Sequence, residues 1–382
     1  MKRYKVAFAT GSRADYGIVR NYLKLLNNNP QIDLSILVTG ALLSEKYGSA
    51  ISIIENDGFN IALKNNVEQA TSSITDTINI MAEVLKGFGK HFASHKYDLL
   101  IILGDRYEIY SVAIAASMQH IPILHLHGGE ITLANYDEFI RHSITKMAQF
   151  HITSTEEYRH RVIQLGEKPE NVYYLGALGA ENCLEIDLSN VPEDIKQQEI
   201  NFCVLFHPET LNDINPAQQM EEVLCAIEPY VSKYHFLFIG SNADTYSDGI
   251  VNKSIQFCEK HSNCYFYKNL HPDAYHYILK QSYALIGNSS SGIIEAPSLG
   301  CRTINIGDRQ TGRVKGDSII DVRCDRLEIM HAIDQAIKTS HFAITDTPYY
   351  KSNSAMEYYN TTCSILNRLS GLSYKEFHDI NF

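Results

Sequence analysis

Short apolar runs alternate with stretches of helical spacing along most of the chain. In the first half, Tyr4–Ala9, Leu34–Val38, Leu99–Leu103, Ile123–Leu126, His151–Ser154 and Val172–Leu175 predict strands. Between them, segments such as Ile18–Leu26 and Ile109–Met118 carry apolar residues at helical spacing. The second half repeats the rhythm, with strands predicted at Phe202–Phe206, Phe236–Ile239, Cys264–Tyr267, Ala284–Ile286, Thr303–Ile306 and Ile319–Val322. Continuous apolar strands separated by helices imply parallel sheets covered on both faces, an α/β architecture. The polar, acidic stretch Glu181–Glu199, which contains Pro192, is the expected linker. The tail from Ser354 predicts one more helix. Ser354 and Glu357 form its capping box, Met356, Tyr359, Cys363 and Leu366 its apolar stripe, and Gly371 its stop. Neither sheet needs a helix there, so it is expected to cross back to the first domain.

The 382 residues leave room for two or three domains. A formal net charge of −11 argues against a nucleic-acid partner. The cysteines show no CxxC spacing, and most sit in apolar runs; they read as reduced thiols of a cytoplasmic protein. MKRYKVAFATG reads as a first strand, not a signal peptide. No stretch approaches the roughly 18 apolar residues of a membrane helix, so no membrane partner is expected.

Doubly wound sheets bind ligands beyond the carboxyl ends of their strands, which directs attention to six segments. In Thr10–Tyr16, Arg13 stands at a helix start and reads either as a phosphate contact or as a plain turn arginine. In Gly104–Glu108, Asp105 reads either as a helix N-cap or as a catalytic carboxylate beside Arg106. In His125–Glu130, followed by Asp137–His142, two histidines on one strand face with Glu130 or Asp137 are the best metal candidate, ranked below a metal-free acid/base cluster. Asp137 and Glu138 also suit a helix dipole. In Phe206–Thr210, His207 at a strand tip can donate to a phosphate or act as an acid, or be a satisfied turn histidine. In Gly287–Glu295, small hydroxyl residues between strand and helix make an anion site, with Glu295 one turn in to accept from ribose hydroxyls; the alternative is N-capping by Ser289 or Ser290. In Gly307–Arg313, Arg309 and Arg313 suit a second phosphate clamp or a solvated loop. These segments divide into phosphate binding in the second half and carboxylate chemistry in the first.

The blocks TGSRADYGIVR, LGDRYEIYSVAIAASM, HGGEITLANYDEFIRHSITKM, FHPETL, GSNADT, IGNSSSGIIEAPSLG and INIGDRQTGR are familiar in this order. The chain resembles the hydrolysing UDP-N-acetylglucosamine 2-epimerases of bacterial sialic acid synthesis. The resemblance implies two Rossmann-like doubly wound domains in a glycosyltransferase-B arrangement with the cleft between them. Residues 1–180 would form the sugar and acid/base domain, with 354–382 returning to it, and 181–353 the UDP-binding domain. It implies Asp105, Glu130, Asp137 and His207 as catalytic residues. Arg13, Arg106, Asn242, Ser289, Ser290, Glu295 and Arg309 would bind substrate and UDP. Many relatives read HIEGGE, with a carboxylate where this chain has His127.

The implied reaction converts UDP-N-acetylglucosamine and water to N-acetylmannosamine and UDP, through elimination to 2-acetamidoglucal and hydration. This is the first step of sialic acid and capsule synthesis. No cofactor and no metal are implied, and the expected assembly is a homodimer or homotetramer. The alternatives are hydrolytic 2-epimerisation of UDP-N,N′-diacetylbacillosamine, glycosyl transfer on the same fold, a metallohydrolase using His125 and His127, and a nucleotide-sugar sensor.

Overall fold

The computed structural model describes residues 3–44, 51–68, 73–133, 136–209, 215–240, 247–268, 270–339, 347–369 and 375–380. The chain divides into two compact units. One contains Met1–Glu130, Asp137–Leu178 and Lys351–Phe382; the other contains Ile131–Tyr136 and Gly179–Tyr350.

The first unit is built on seven strands: β1 (Tyr4–Thr10), β2 (Ile32–Val38), β3 (Ile61–Lys64), β4 (Leu99–Leu103), β5 (Ile123–Leu126), β6 (Phe150–Thr153) and β7 (Val172–Tyr174). All pairings are parallel, in the order β3-β2-β1-β4-β5-β6-β7. The central strand β4 is apolar throughout, and its neighbours β1 and β5 are mostly apolar, as in a sheet covered on both faces. Leu99–Leu103 is buried at every residue, and Val6 aligns with Leu34 on one side and Leu99 on the other. The sequence pattern misses β3. Its four residues alternate between half-buried and exposed at the sheet edge, so it has no continuous apolar run.

The second unit carries β8 (Phe202–Leu205), β9 (Phe236–Ile239), β10 (Cys264–Tyr267), β11 (Ala284–Gly287), β12 (Arg302–Ile306) and β13 (Ile319–Val322). These are also parallel, in the order β10-β9-β8-β11-β12-β13. In each sheet the order reverses beside the first strand. The switch points are therefore β1/β4 and β8/β11, where crevices open beyond the strand ends.

Two expectations are corrected. The stretch 181–199 is not a linker. Cys183, Val191 and Ile195 are buried against Leu205, Leu237 and Leu285 of the second unit, and the acidic residues between them face outward. The tail helix, Ser354–Arg368, has no capping box. Its N-cap is Asn353, at φ 60°, and the buried Ser354 hydroxyl donates to the carbonyls of Leu175 (3.0 Å) and Lys351 (2.8 Å). Its buried stripe is Tyr358, Thr362, Ile365 and Leu366, while Met356 is exposed. The Tyr358 hydroxyl donates to the Gly176 carbonyl (2.7 Å), and Tyr22 and Thr362 share a 2.7 Å hydroxyl contact. This helix thus completes the core of the first unit. Gly371 lies outside the described residues. Among the described residues, no helix is long and apolar enough to cross a membrane.

Candidate active site

In the first unit, β1 runs into the helix Arg13–Asn27 and β4 into the helix Tyr107–Met118, on the two sides of the switch point. Ser12 caps the first helix, its hydroxyl accepting from the Asp15 N–H at 3.1 Å. Arg13 opens that helix half-buried, and burial draws its guanidinium below the ordinary value. An N-terminal helix turn with a guanidinium beside it suits an anion.

Asp105 is not the N-cap of the following helix; Arg106 holds that position. The Asp105 carboxylate instead meets Arg141, a residue the sequence patterns do not single out. Arg141 comes from the helix Asp137–Met147 and is 1% exposed. Its Nε donates to Asp105 Oδ2 at 2.7 Å, and its Nη2 bonds the same oxygen. Its Nη1 donates to the Glu130 carbonyl (2.8 Å) and to Glu138 Oε2 (3.1 Å). One buried arginine thus gathers the β4, Glu130 and Asp137 segments. Asp137 begins the arginine's own helix, where the dipole favours a carboxylate. The Glu130 carboxyl points elsewhere. It is buried and accepts from the Ser154 hydroxyl at 2.9 Å.

Arg106 lies beside Glu108, a fully buried carboxylate, with its Nε and Nη2 each 3.2 Å from a carboxyl oxygen. That partner raises the Arg106 guanidinium well above its usual range, against the opposing effect of burial. Nearby Asp15 has a buried Oδ2 that makes no hydrogen bond among the described residues. Burial pushes its carboxyl up to about 6, although Arg106 and the Ser12 hydroxyl pull it down. Its neutral form therefore favours the fold. That contribution is complete below the ordinary value of 3.8 and is lost as pH rises through about 6. Asp15→Asn should then raise stability by about 1–3 kcal/mol at pH 7.5 and change little at pH 4. Urea unfolding at the two pH values tests this; equal shifts at both would contradict it.

The metal candidate does not assemble. His125 has one ring nitrogen 2.8 Å from the Gly104 carbonyl and the other 3.3 Å from the Thr145 hydroxyl. Burial drives it down to about 3, which makes it a neutral core histidine. His127 lies beyond the strand at φ 63°, so the two rings do not share a strand face. No group of three or more metal-ligating side chains occurs among the described residues.

In the second unit, His207 lies two residues beyond β8 and Asn288 directly follows β11, again across the switch point. The Asn288 side chain clasps the His207 backbone, accepting from its N–H at 2.7 Å and donating to its carbonyl at 2.9 Å. Gly287–Glu295 does not lead into a long helix. Ser291–Ile294 is a single turn, followed by the 3-10 turn Ala296–Leu299. A single turn carries little helix dipole, so the polar groups this segment offers are its N–H and hydroxyl groups. Ser290 sits at the N-cap position without a side-chain cap bond. The Ser289 hydroxyl lies 2.9 Å from that of Ser291, which meets Tyr275 at 2.6 Å. Glu295 pairs with His276 at 3.1 Å. Arg309 reaches back across the strand ends, its Nη1 donating to the Asn288 carbonyl at 3.1 Å. Asn242 lies outside the described residues, as does Thr210.

Two doubly wound parallel sheets, with a serine, histidine and arginine set at one switch point and an arginine–carboxylate cluster at the other, define a two-domain α/β protein. Comparison with known proteins narrows the class. The chain belongs to the UDP-N-acetylglucosamine 2-epimerase family, whose profile matches residues 24–361. It is 46% identical to the polysialic acid biosynthesis protein P7 of Escherichia coli, over 98% of this chain and 97% of that one. It is 34% identical to the GDP/UDP-N,N′-diacetylbacillosamine 2-epimerase (hydrolyzing) of Campylobacter jejuni, over 86% of each. The crystal structure of the UDP-GlcNAc 2-epimerase of Neisseria meningitidis bound to UDP-GlcNAc superposes with a TM-score of 0.77 at 16% identity, covering 94% of this chain and 100% of that one. That likeness establishes the fold, the two-domain doubly wound α/β architecture expected from the sequence.

Proposed function

We propose that the protein is a hydrolysing epimerase that converts UDP-N-acetylglucosamine and water to N-acetylmannosamine and UDP. The observation that carries this reading is the division of labour between the switch points: a carboxylate cluster ordered by Arg141 at one, and Ser289, Ser290, His207 and Arg309 at the other. The nearly full-length likeness to a polysialic acid biosynthesis protein supports N-acetylmannosamine, the amino sugar on which sialic acids are built, as the product.

C2 of the sugar is not next to a carbonyl, so its proton is barely acidic. A carboxylate removes that proton as the C1–O bond to UDP breaks, which leaves 2-acetamidoglucal. Water then adds across the double bond, with hydroxyl to C1 and a proton to C2 from the opposite face. Asp105 and Asp137 are the carboxyl groups assigned to these transfers, with Glu130 as a further catalytic carboxylate. Arg106 orients the sugar. Arg13, His207 and Arg309 stabilise the charge gained by the departing diphosphate, and His207 is also the proposed proton donor to it. Ser289 and Ser290 hold the phosphates and Glu295 the ribose; Asn242 is assigned to the same nucleotide. No step requires a cofactor. The cysteines, all in thiol form, suit the cytoplasm, and a homodimer or homotetramer is the proposed assembly.

The likeness to the diacetylbacillosamine enzyme favours one second reading, the same chemistry on that UDP-sugar. Proton NMR of the products from each UDP-sugar, with no acceptor present, tests both. The expected result is free N-acetylmannosamine and UDP from UDP-N-acetylglucosamine. Release of sugar only from UDP-N,N′-diacetylbacillosamine would select the second reading, and absence of UDP release from either would reject both.

A further inference from the structure

Glu209 is a buried carboxylate that the proposed chemistry does not use. It stands two residues beyond His207, in the segment that follows β8, and is 4% exposed. Its Oε1 accepts the backbone N–H groups of Asp308 (2.8 Å) and Arg309 (3.2 Å), and its Oε2 accepts from Gln219 Nε2 (3.2 Å). Two consecutive N–H groups aimed at one oxygen form an anion-binding concavity, here filled by a side chain of the same chain. The fit requires glycine at 307. A Cβ there would lie 2.4 Å from Glu209 Oε1, and the residue has φ 77°. The loop is tied from its other side as well, because Arg309 Nη1 and Gln310 Nε2 both donate to the Asn288 carbonyl, at 3.1 and 2.9 Å. Asn288 in turn clasps His207. A closed circuit therefore runs from His207 through Asn288 to the Arg309 loop and back through Glu209.

We propose that Glu209 is a positioning residue that fixes the Gly307–Arg313 loop so that Arg309 and His207 meet the diphosphate as one preset unit. The inference rests on the reading of this unit as the UDP-binding half. A charge-assisted pair of backbone hydrogen bonds, formed before the ligand arrives, removes the ordering cost that a mobile arginine would add to binding.

The test is a double-mutant cycle on the full chain, with UDP as the probe in calorimetry and the UDP-sugar in steady-state kinetics. Glu209→Ala should weaken UDP binding roughly ten- to a hundredfold, as for loss of hydrogen bonds to a charged group. KM should rise by a similar factor and kcat should fall less; damage to packing alone would instead lower the active fraction and leave KM unmoved. Glu209→Gln keeps an acceptor at the loop, so it should recover part of the loss, and it stands in if the alanine variant does not fold. In an Arg309→Ala background, either change should cost little more, because residues acting through one another are non-additive. Parental UDP affinity in both Glu209 variants would overturn the proposal, as would penalties that add in full to that of Arg309→Ala. If the parent protein itself does not bind UDP, the functional reading fails instead, so the two failures are distinguishable.

Discussion

Asp105→Asn should leave UDP affinity near its parental value and lower kcat by about 10²-fold or more, the scale of a lost general acid or base. The substitution preserves shape while removing the proton-exchanging group and the negative charge that pairs with Arg141. Arg141 already holds one carboxyl oxygen of Asp105 through two of its nitrogens, so the carboxylate's direction is set before substrate arrives. The side chain nevertheless keeps 21% of its surface, enough to meet a ligand beyond the strand end. UDP is assigned chiefly to the other unit, with Arg13 its contact from this one, so its binding by calorimetry should change little. Turnover within a few-fold of the parent would remove Asp105 from proton transfer and leave Asp137 as the leading carboxylate.

Arg141→Met should destabilise the protein by about 3–5 kcal/mol, the cost of removing one partner from a buried ion pair. Methionine approximates the volume, so the loss is electrostatic. The arginine side chain is 1% exposed and neutralises Asp105 and Glu138 at once while satisfying the Glu130 carbonyl. Without it, Asp105 and Glu138 each lose an ion-pair contact. Urea unfolding at neutral pH measures the size of the deficit. A change below about 1 kcal/mol at neutral pH would mean that solvent replaces the arginine, as it does at surface pairs.

How much of this could be read from the chain depends on how far apart the partners are. Leu99–Leu103 declares itself because five consecutive apolar residues have few other structural uses. The Gly287–Glu295 and Gly307–Arg313 segments are also visible as strand ends, since glycine, serine and arginine directly after an apolar run interrupt it. The organising contacts leave no local trace. Arg141 finds Asp105 from 36 positions away, Asn288 finds His207 from 81, and Glu209 meets the Asp308 N–H from 99. Nothing in FHPET distinguishes a glutamate that anchors a distant loop from one in water. The supposed linker at 181–199 misleads for the opposite reason. Its many charges hide Cys183, Val191 and Ile195, spaced too irregularly to read as one element. Ser354 misleads because a serine before a helical pattern suggests a cap, whereas here burial turns its hydroxyl toward the Leu175 and Lys351 carbonyls.

The return of Lys351–Phe382 to the first unit bears on how the protein is made. A ribosome releases the amino-terminal half first, yet the surface of Tyr22 that meets Tyr358 and Thr362 stays uncovered until the final helix emerges. The segment 179–350 is fully synthesised before that helix, so it can reach its folded form while its predecessor waits, the reverse of the usual order during synthesis. A nonsense codon or proteolytic nick after position 350 would therefore strike hardest at the half translated first, and chaperone dependence in the cell should track the exposure of that unfinished core.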